Sequence, residues 1–195
     1  MHKLLKKEYT GENYLNDDQE RPQKTKNLNL MNLFRYINSK LITIFNKLRL
    51  IKMKLLGAKI GRNVRVFGKF TVIGNLSKLT IGDNSTINEG VLFDLRDRIT
   101  IGSNVHLSSY VQLHTGKLTL YNIPRKHVKE PIIIEENVWL ASSVIVSAGV
   151  KIGKNTVIGA GSVVIRSISQ DCFCAGNPAK KIKNLNSDSN GSKSL

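Results

Sequence analysis

Between residues 134 and 168 an aliphatic residue returns every six positions, at Ile134, Leu140, Val146, Ile152, Ile158 and Val164. A period of six belongs neither to a helix nor to a simple strand, and reads as a repeat in which each short strand is followed by a corner. Two positions before the later aliphatics stands a second inward candidate, at Val138, Val144, Val150, Thr156 and Ser162. Side chains two apart lie on one face of a strand, so each hexad supplies one buried pair. Three hexads close an 18-residue coil, and 18 residues after Ile134, Leu140 and Val146 come Ile152, Ile158 and Val164. Like residues then stack in ladders about 4.8 Å apart, and the predicted core is a column of near-identical layers.

The same phase appears upstream. Ile60, Ile81, Ile101, Ile134 and Ile152 are each followed three residues later by Asn, at Asn63, Asn84, Asn104, Asn137 and Asn155, and Gly adjoins four of the five isoleucines. Asn and Gly accept left-handed backbone at little cost, so their fixed position marks a corner between strands. Ala148-Gly149 and Ala160-Gly161 mark others. The isoleucine spacings are 21, 20, 33 and 18, so one coil holds a long insertion, and it falls between Leu113 and Ile132.

The rest of the chain divides around this repeat. Residues 1–27 are polar and mixed in charge and are expected to form a flexible arm. They contain no apolar stretch long enough for a signal sequence, so a cytoplasmic protein is expected. In residues 28–56 apolar side chains such as Leu33, Ile37, Leu41, Ile44, Leu48 and Ile51 recur every three or four positions, with Arg35, Lys40, Lys47, Arg49, Lys52 and Lys54 between them. This predicts one amphipathic helix or a pair. Its longest uncharged central run, Leu41 to Asn46, is far short of the about 20 residues that cross a bilayer. Two uses suit it: lying on an anionic membrane surface, or packing across the base of its own assembly. The repeat occupies residues 57–183 with an inserted loop at 114–131, and residues 184–195 are expected to form a disordered tail.

Composition narrows the functional classes. The formal net charge is +16, which suits nucleic acid, anionic lipid or phosphorylated substrates. No helix-turn-helix pattern and no basic patch interleaved with aromatics is visible, so lipid and phosphate remain as partners and nucleic acid does not. Cys172 and Cys174 are expected on opposite sides of an extended segment, reduced and structural. A zinc lyase would need three histidines converging at a subunit interface. The four histidines are His2, His106, His114 and His127, with His106 and His114 on different strands, so no metal is expected.

The motifs I-G-x-N-x, N-V-W-L-A, A-G-V-x-I-G, V-I-G-A-G-S-V-V and A-G-N-P-A-K, within residues 56–183, resemble the hexapeptide-repeat acyltransferases. Among these they are most similar to sugar O-acetyltransferases of the galactoside, maltose and exopolysaccharide type. The resemblance implies an all-β fold, a left-handed parallel β-helix of hexapeptide repeats preceded by an amphipathic helical segment. It also implies a homotrimer with acetyl-coenzyme A (acetyl-CoA) in the groove between neighbouring prisms, and a sugar or glycan acceptor. By resemblance Asn88 and Asp94 face the acceptor, with the hydroxyls of Ser108, Ser109 and Tyr110 nearby. Small residues Ala141, Ser142 and Ala160 leave a shallow strip for the pantetheine arm. Arg166, Lys180 and Lys183 match basic positions around the nucleotide phosphates, and Trp139 is expected near the seam or groove mouth.

One departure concerns the chemistry. Relatives hold a catalytic histidine just after a Thr-Gly or Thr-Asn pair early in the inserted loop; here Thr115-Gly116 is followed by Lys117 and Leu118. A neutral imidazole, with an ordinary pKa of about 6.5, can take a hydroxyl proton near neutral pH, whereas lysine at about 10.4 is already charged. His114, beside the pair, and His127, late in the loop, are the candidate bases. Three readings follow: an acetyl-CoA-dependent O-acetyltransferase of a cell-surface polysaccharide or its lipid-linked precursor, an N-acetyltransferase of an amino sugar, or a trimeric scaffold without catalysis.

Overall fold

Each hexad becomes one short strand, and three strands per turn wind into a left-handed parallel β-helix with three flat faces. The computed structural model describes residues 30–121 and 123–185, so the expected arm and residues 186–195 lie outside it. The first face stacks Lys59–Ile60, Leu79–Ile81, Ile99–Ile101, Ile132–Ile134 and Lys151–Ile152. The second stacks Arg65–Val66, Thr86–Ile87, His106–Leu107, Trp139–Leu140, Val157–Ile158 and Cys172–Ala175, and is closed by the antiparallel strand Lys180–Asn184. The third stacks Thr71–Gly74, Leu92–Leu95, Gln112–His114, Ile145–Val146 and Val163–Val164.

The predicted ladders are present in register. Ile134 pairs with Ile152, Leu140 with Ile158 and Val146 with Val164, and all six are at most 1% exposed. The second set of inward residues is equally buried, and its polar members find partners. The hydroxyl of Thr156 donates to the Ser169 carbonyl (3.0 Å), and that of Ser162 donates to the Gly159 carbonyl (2.6 Å) while accepting the Gly176 N–H (3.0 Å). A hydroxyl in this core is therefore tolerated where a corner carbonyl lies within reach.

The corners explain the Asn signal. Asn63, Asn84, Asn104, Asn137 and Asn155 all adopt φ between 55° and 58°, and Asp171 at 57° continues the column one coil later. Their side chains bond along the stack: Asn137 donates to Asn155 at 3.1 Å, and Asn155 donates to Asp171 at 2.7 Å. At the corner between the second and third faces, Gly90 (φ 73°) is required twice, since a Cβ there would come 2.3 Å from the Tyr110 ring. The insertion folds as an antiparallel hairpin, Gly116–Leu118 with His127–Lys129.

Helix α1, Leu30–Leu55, is one helix rather than a pair. Only its C-terminal half packs on the prism. Met53 is buried, Leu50 contacts the core, the Arg49 guanidinium lies 3.6 Å over the Phe70 ring and bonds the Phe70 carbonyl, and Asn46 donates to the Val66 carbonyl at 3.1 Å. Leu33, Ile37, Leu41, Ile44, Phe45, Leu48 and Ile51 remain exposed on this single chain.

The cysteine expectation is corrected. Residues two apart on a strand share a face, and Cys172 and Cys174 both point into the core with their sulfurs 3.6 Å apart, as free thiols. Burial, with the neighbouring Cys172 thiol, pushes Cys174 up to about 12, so it is an inert core side chain and no nucleophile. At the C-terminal end the closing strand includes Asn184, and the Leu185 N–H donates to the Asp171 carbonyl at 2.8 Å, past the expected boundary at 183.

Ile158 sits fully buried between Leu140 below and Cys174 above. Ile158→Ala should therefore destabilise the fold by about 2–5 kcal/mol, measured by denaturant unfolding. A loss under about 1 kcal/mol would mean that the column collapses onto the gap.

Candidate active site

The third face ends in an acid–imidazole pair. Asp94 and His114 occupy the same position on adjacent parallel strands, so strand stacking alone brings them together. Alternation sends Phe93 and Leu113 into the core and turns their successors outward. Asp94 is nonetheless only 6% exposed. One oxygen, Oδ2, lies 3.4 Å from Arg96 Nε and 3.8 Å from His114 Nδ1. The other, Oδ1, is buried and has no hydrogen-bond partner among the described residues.

The far side of the His114 ring is also engaged. Nε2 lies 3.0 Å from the Gln112 side-chain oxygen, two residues earlier on the same face. Thr115, fully buried, fixes the turn behind the pair: its hydroxyl donates to the Asp94 carbonyl at 2.5 Å and accepts the Asp97 N–H at 2.8 Å. The Thr in the Thr-Gly pair is thus a clamp on the strand that presents Asp94. Gln112, Arg96 and this role of Thr115 were not read from the sequence. The available signal was that Gln112 and His114 are two apart on a strand.

The structure separates the two candidate bases. His127 faces Leu118 across the hairpin and is exposed, and no hydrogen bond or ion pair joins it to His114 among the described residues. Lys117, where the resemblance led to the expectation of a histidine, is tied to Glu130 at 2.6 Å. It braces the base of the hairpin.

The remaining candidates lie along a different edge. Asn88, Ser108-Ser109, Ala141-Ser142 and Ala160 follow one another up the corner between the second and third faces, joined by backbone bonds such as Gly161 N–H to the Ser142 carbonyl (2.9 Å). Trp139 flanks this strip, and its indole N–H donates to the Ser108 hydroxyl at 3.0 Å. Lys180 pairs with Ala175 near the upper end of the strip, whereas Lys183 pairs with Phe173 further across the second face. Arg166 follows the strand Val163–Val164 and so belongs to the opposite edge of the third face. Within one chain Asn88 and Asp94 are likewise divided by the width of the third face, because one precedes the strand Leu92–Leu95 and the other lies inside it. No group of three His, Cys, Asp or Glu able to hold a metal occurs among the described residues.

This prism, corner strip and outward His–Asp pair define the class. Residues 131–166 match the family described as bacterial transferase hexapeptide (six repeats). The chain is 38% identical over 138 residues to a putative colanic acid biosynthesis acetyltransferase of Escherichia coli (strain K12), covering 69% of this chain and 74% of that one. Among solved structures it is similar to a hexapeptide-repeat acetyltransferase of Vibrio cholerae complexed with acetyl-CoA, with TM-score 0.67, 28% identity, and coverage of 72% of this chain and 78% of that one. It is also similar to a maltose O-acetyltransferase of Clostridium difficile 630, with TM-score 0.64, 31% identity, and coverage of 68% and 72%. The chain belongs to the hexapeptide-repeat acetyltransferases, and its reaction class is acyl transfer.

A buried carboxylate oxygen without a partner costs about 1–3 kcal/mol. Asp94→Asn removes the charge while keeping the shape, so the variant should be as stable as the parent or more so in denaturant unfolding. A loss on the scale of a core truncation would show that the Asp94 contacts hold the fold instead of serving the site.

Proposed function

We propose that this protein transfers the acetyl group of acetyl-CoA to a hydroxyl of a sugar, in a cell-surface polysaccharide or its lipid-linked precursor. The observation behind this reading is the His114 imidazole, held between Asp94 and Gln112 on the outer face of an acetyltransferase prism. In the reaction Gln112 swings aside, the neutral ring carries its proton on Nδ1 toward Asp94, and the acceptor hydroxyl takes the place of Gln112 at the free Nε2. As the hydroxyl oxygen bonds to the acetyl carbon, its proton passes to Nε2 and the imidazolium is stabilised by Asp94. A backbone N–H steadies the thioester oxyanion. The carbon–sulfur bond then breaks, and the sulfur takes the proton as free coenzyme A leaves.

The assembly we propose is a homotrimer. Asn88 and the small-residue strip Ala141, Ser142 and Ala160 lie on one edge of the third face, and Asp94, His114 and Arg166 on the other. Neighbouring prisms packed around a threefold axis would join one chain's strip to the next chain's His–Asp pair. The pantetheine arm then runs along Ser142 and Ala160, with Lys180, Lys183 and Arg166 around the nucleotide phosphates. Sedimentation should give a trimer at micromolar concentration, and a stable monomer there would remove both the assembly and the shared site.

We place the protein in the cytoplasm, at the inner membrane surface. No described helix is long and apolar enough to cross a membrane, but α1 exposes an apolar face together with basic residues and contains no acid. Apolar burial plus about 1 kcal/mol per basic residue near an anionic surface supports peripheral binding. Deleting residues 28–56 should abolish salt-sensitive binding to vesicles rich in anionic lipid; unchanged binding would make α1 purely structural.

If His114 is the base, His114→Ala should lower turnover by about 10² to 10⁴ while acetyl-CoA binding stays nearly constant. His127→Ala should cost far less. The reverse ranking would move the base onto the hairpin. Release of coenzyme A with sugar acceptors, compared with amino-sugar acceptors, separates O- from N-acetylation. Absence of release with every acceptor favours a scaffold, in keeping with Lys117 and Leu118 at the family's base position.

A further inference from the structure

A groove of about 720 Å³ separates the middle of α1 from the lowest corners between the second and third faces. Its walls differ in character. Ile42 and Leu50 on the helix face Val64, Val66 and Phe67 on the first coil, giving an apolar channel. Asn46 also lines the groove, with its amide donating to the Val66 carbonyl at 3.1 Å. Lys47 from the helix and Arg65 from the prism bring two cations to the same groove, and neither has an ion-pair partner among the described residues. Arg65 is placed with its guanidinium 5.9 Å from the Phe67 ring centroid, and its N–H fork makes no hydrogen bond among the described residues. At the other end the lining becomes polar and uncharged except for one carboxylate, with Asn88, Glu89 and Ser109 on successive corners.

We propose that this groove binds the acceptor as a lipid-linked glycosyl phosphate, with the phosphate between Lys47 and Arg65, the sugar beside Asn88, and the hydrocarbon along the Ile42–Phe67 channel. The inference rests on the acetyltransferase reading and adds the chemical form of its acceptor. The order of the groups along the groove supports it. Arg65 pairs with Thr86, and Asn88 lies two residues beyond, so one coil and two residues separate their backbone positions, roughly 8 Å from strand spacing and rise. A phosphate on the Arg65 side and a sugar on the Asn88 side are then neighbours along the groove. Glu89 would repel a phosphate and accept from sugar hydroxyls, so charge also sets the direction in which the ligand lies. A nucleotide in place of the lipid would need several hydrogen-bonding groups for a base and ribose, and beside the apolar side chains of the Ile42–Phe67 channel the lining has only Thr43 and Asn46 as uncharged polar groups, the latter already donating to the Val66 carbonyl. On the outer side, Leu41, Ile44 and Phe45 are exposed on the same helix and continue the apolar path away from the prism.

The test is a binding measurement without acetyl-CoA and without vesicles, using the full chain. The probes are farnesyl diphosphoryl-glucose, uridine diphosphoglucose, and octyl glucoside below its micelle concentration. The farnesyl probe should bind tightest. Lys47→Gln and Arg65→Gln should each weaken it about tenfold, the typical effect of losing one charge-assisted contact, and Ile42→Glu at least as much. These side chains are exposed, so circular dichroism and melting of the variants should match the parent. Octyl glucoside binding should not respond to the charge variants. No binding of the farnesyl probe, or binding indifferent to Lys47 and Arg65, overturns the proposal. Equal or tighter binding of the nucleotide sugar, indifferent to Ile42→Glu, overturns it in favour of a soluble donor-type ligand. Binding as expected without acetyl transfer would sink the enzymatic reading and leave the groove assignment standing.

Discussion

The structure depends on the vertical stacking of like side chains, one layer per turn. Each coil supplies only short strands that would not survive alone. What stabilises them is the coil above and the coil below: Leu140 lies between Leu107 and Ile158, and Val146 between Leu113 and Val164, in continuous apolar columns. Such a column must be ended somewhere. At the base, Met53 and the Arg49–Phe70 contact from α1 cover the first coil. At the top, the chain turns back in the antiparallel strand Lys180–Asn184, which closes the second face.

Regularity in the core leaves chemistry to the outside of the strands and to the corners. Asp94 and His114 meet because parallel strands in register place equivalent outward positions next to each other. The same rule stacks Asn88 with the small-residue strip. The site is thus built by the translation that builds the fold, with no dedicated loop except the hairpin, where Lys117 and Glu130 form a brace. Asp94 bears the cost of this arrangement. Its unpartnered buried oxygen is the one such side-chain atom among the described residues, and a native defect of this kind calls for an explanation such as a ligand that completes the set.

The resemblance implies a histidine at Lys117 or Leu118, where this chain has none. A base on the hairpin would reach an acceptor from the loop, whereas His114, the base we propose, stands on the sheet and already faces a carboxylate. Strand pairing fixes the His114 backbone opposite Asp94, so its position is set by the rigid part of the molecule.

Much of the fold was legible because a repeat of six with Asn at a fixed phase has few solutions. The ladders, the left-handed corners and the position of the insertion all follow from local sterics and period, which one chain's sequence fully records. The cysteines depart from the expectation by that same periodicity, since residues two apart on a strand share a side. Other features belonged to the tertiary structure alone. Nothing in the spacing says that Gln112 would occupy His114 Nε2, that Asp94 would be covered by Arg96, or that α1 would leave a groove over Arg65 and Asn88. Sequence determines which way a side chain points along its own strand. Which groups meet across coils depends on insertions of two or three residues and on where a helix comes to rest, and only packing decides those.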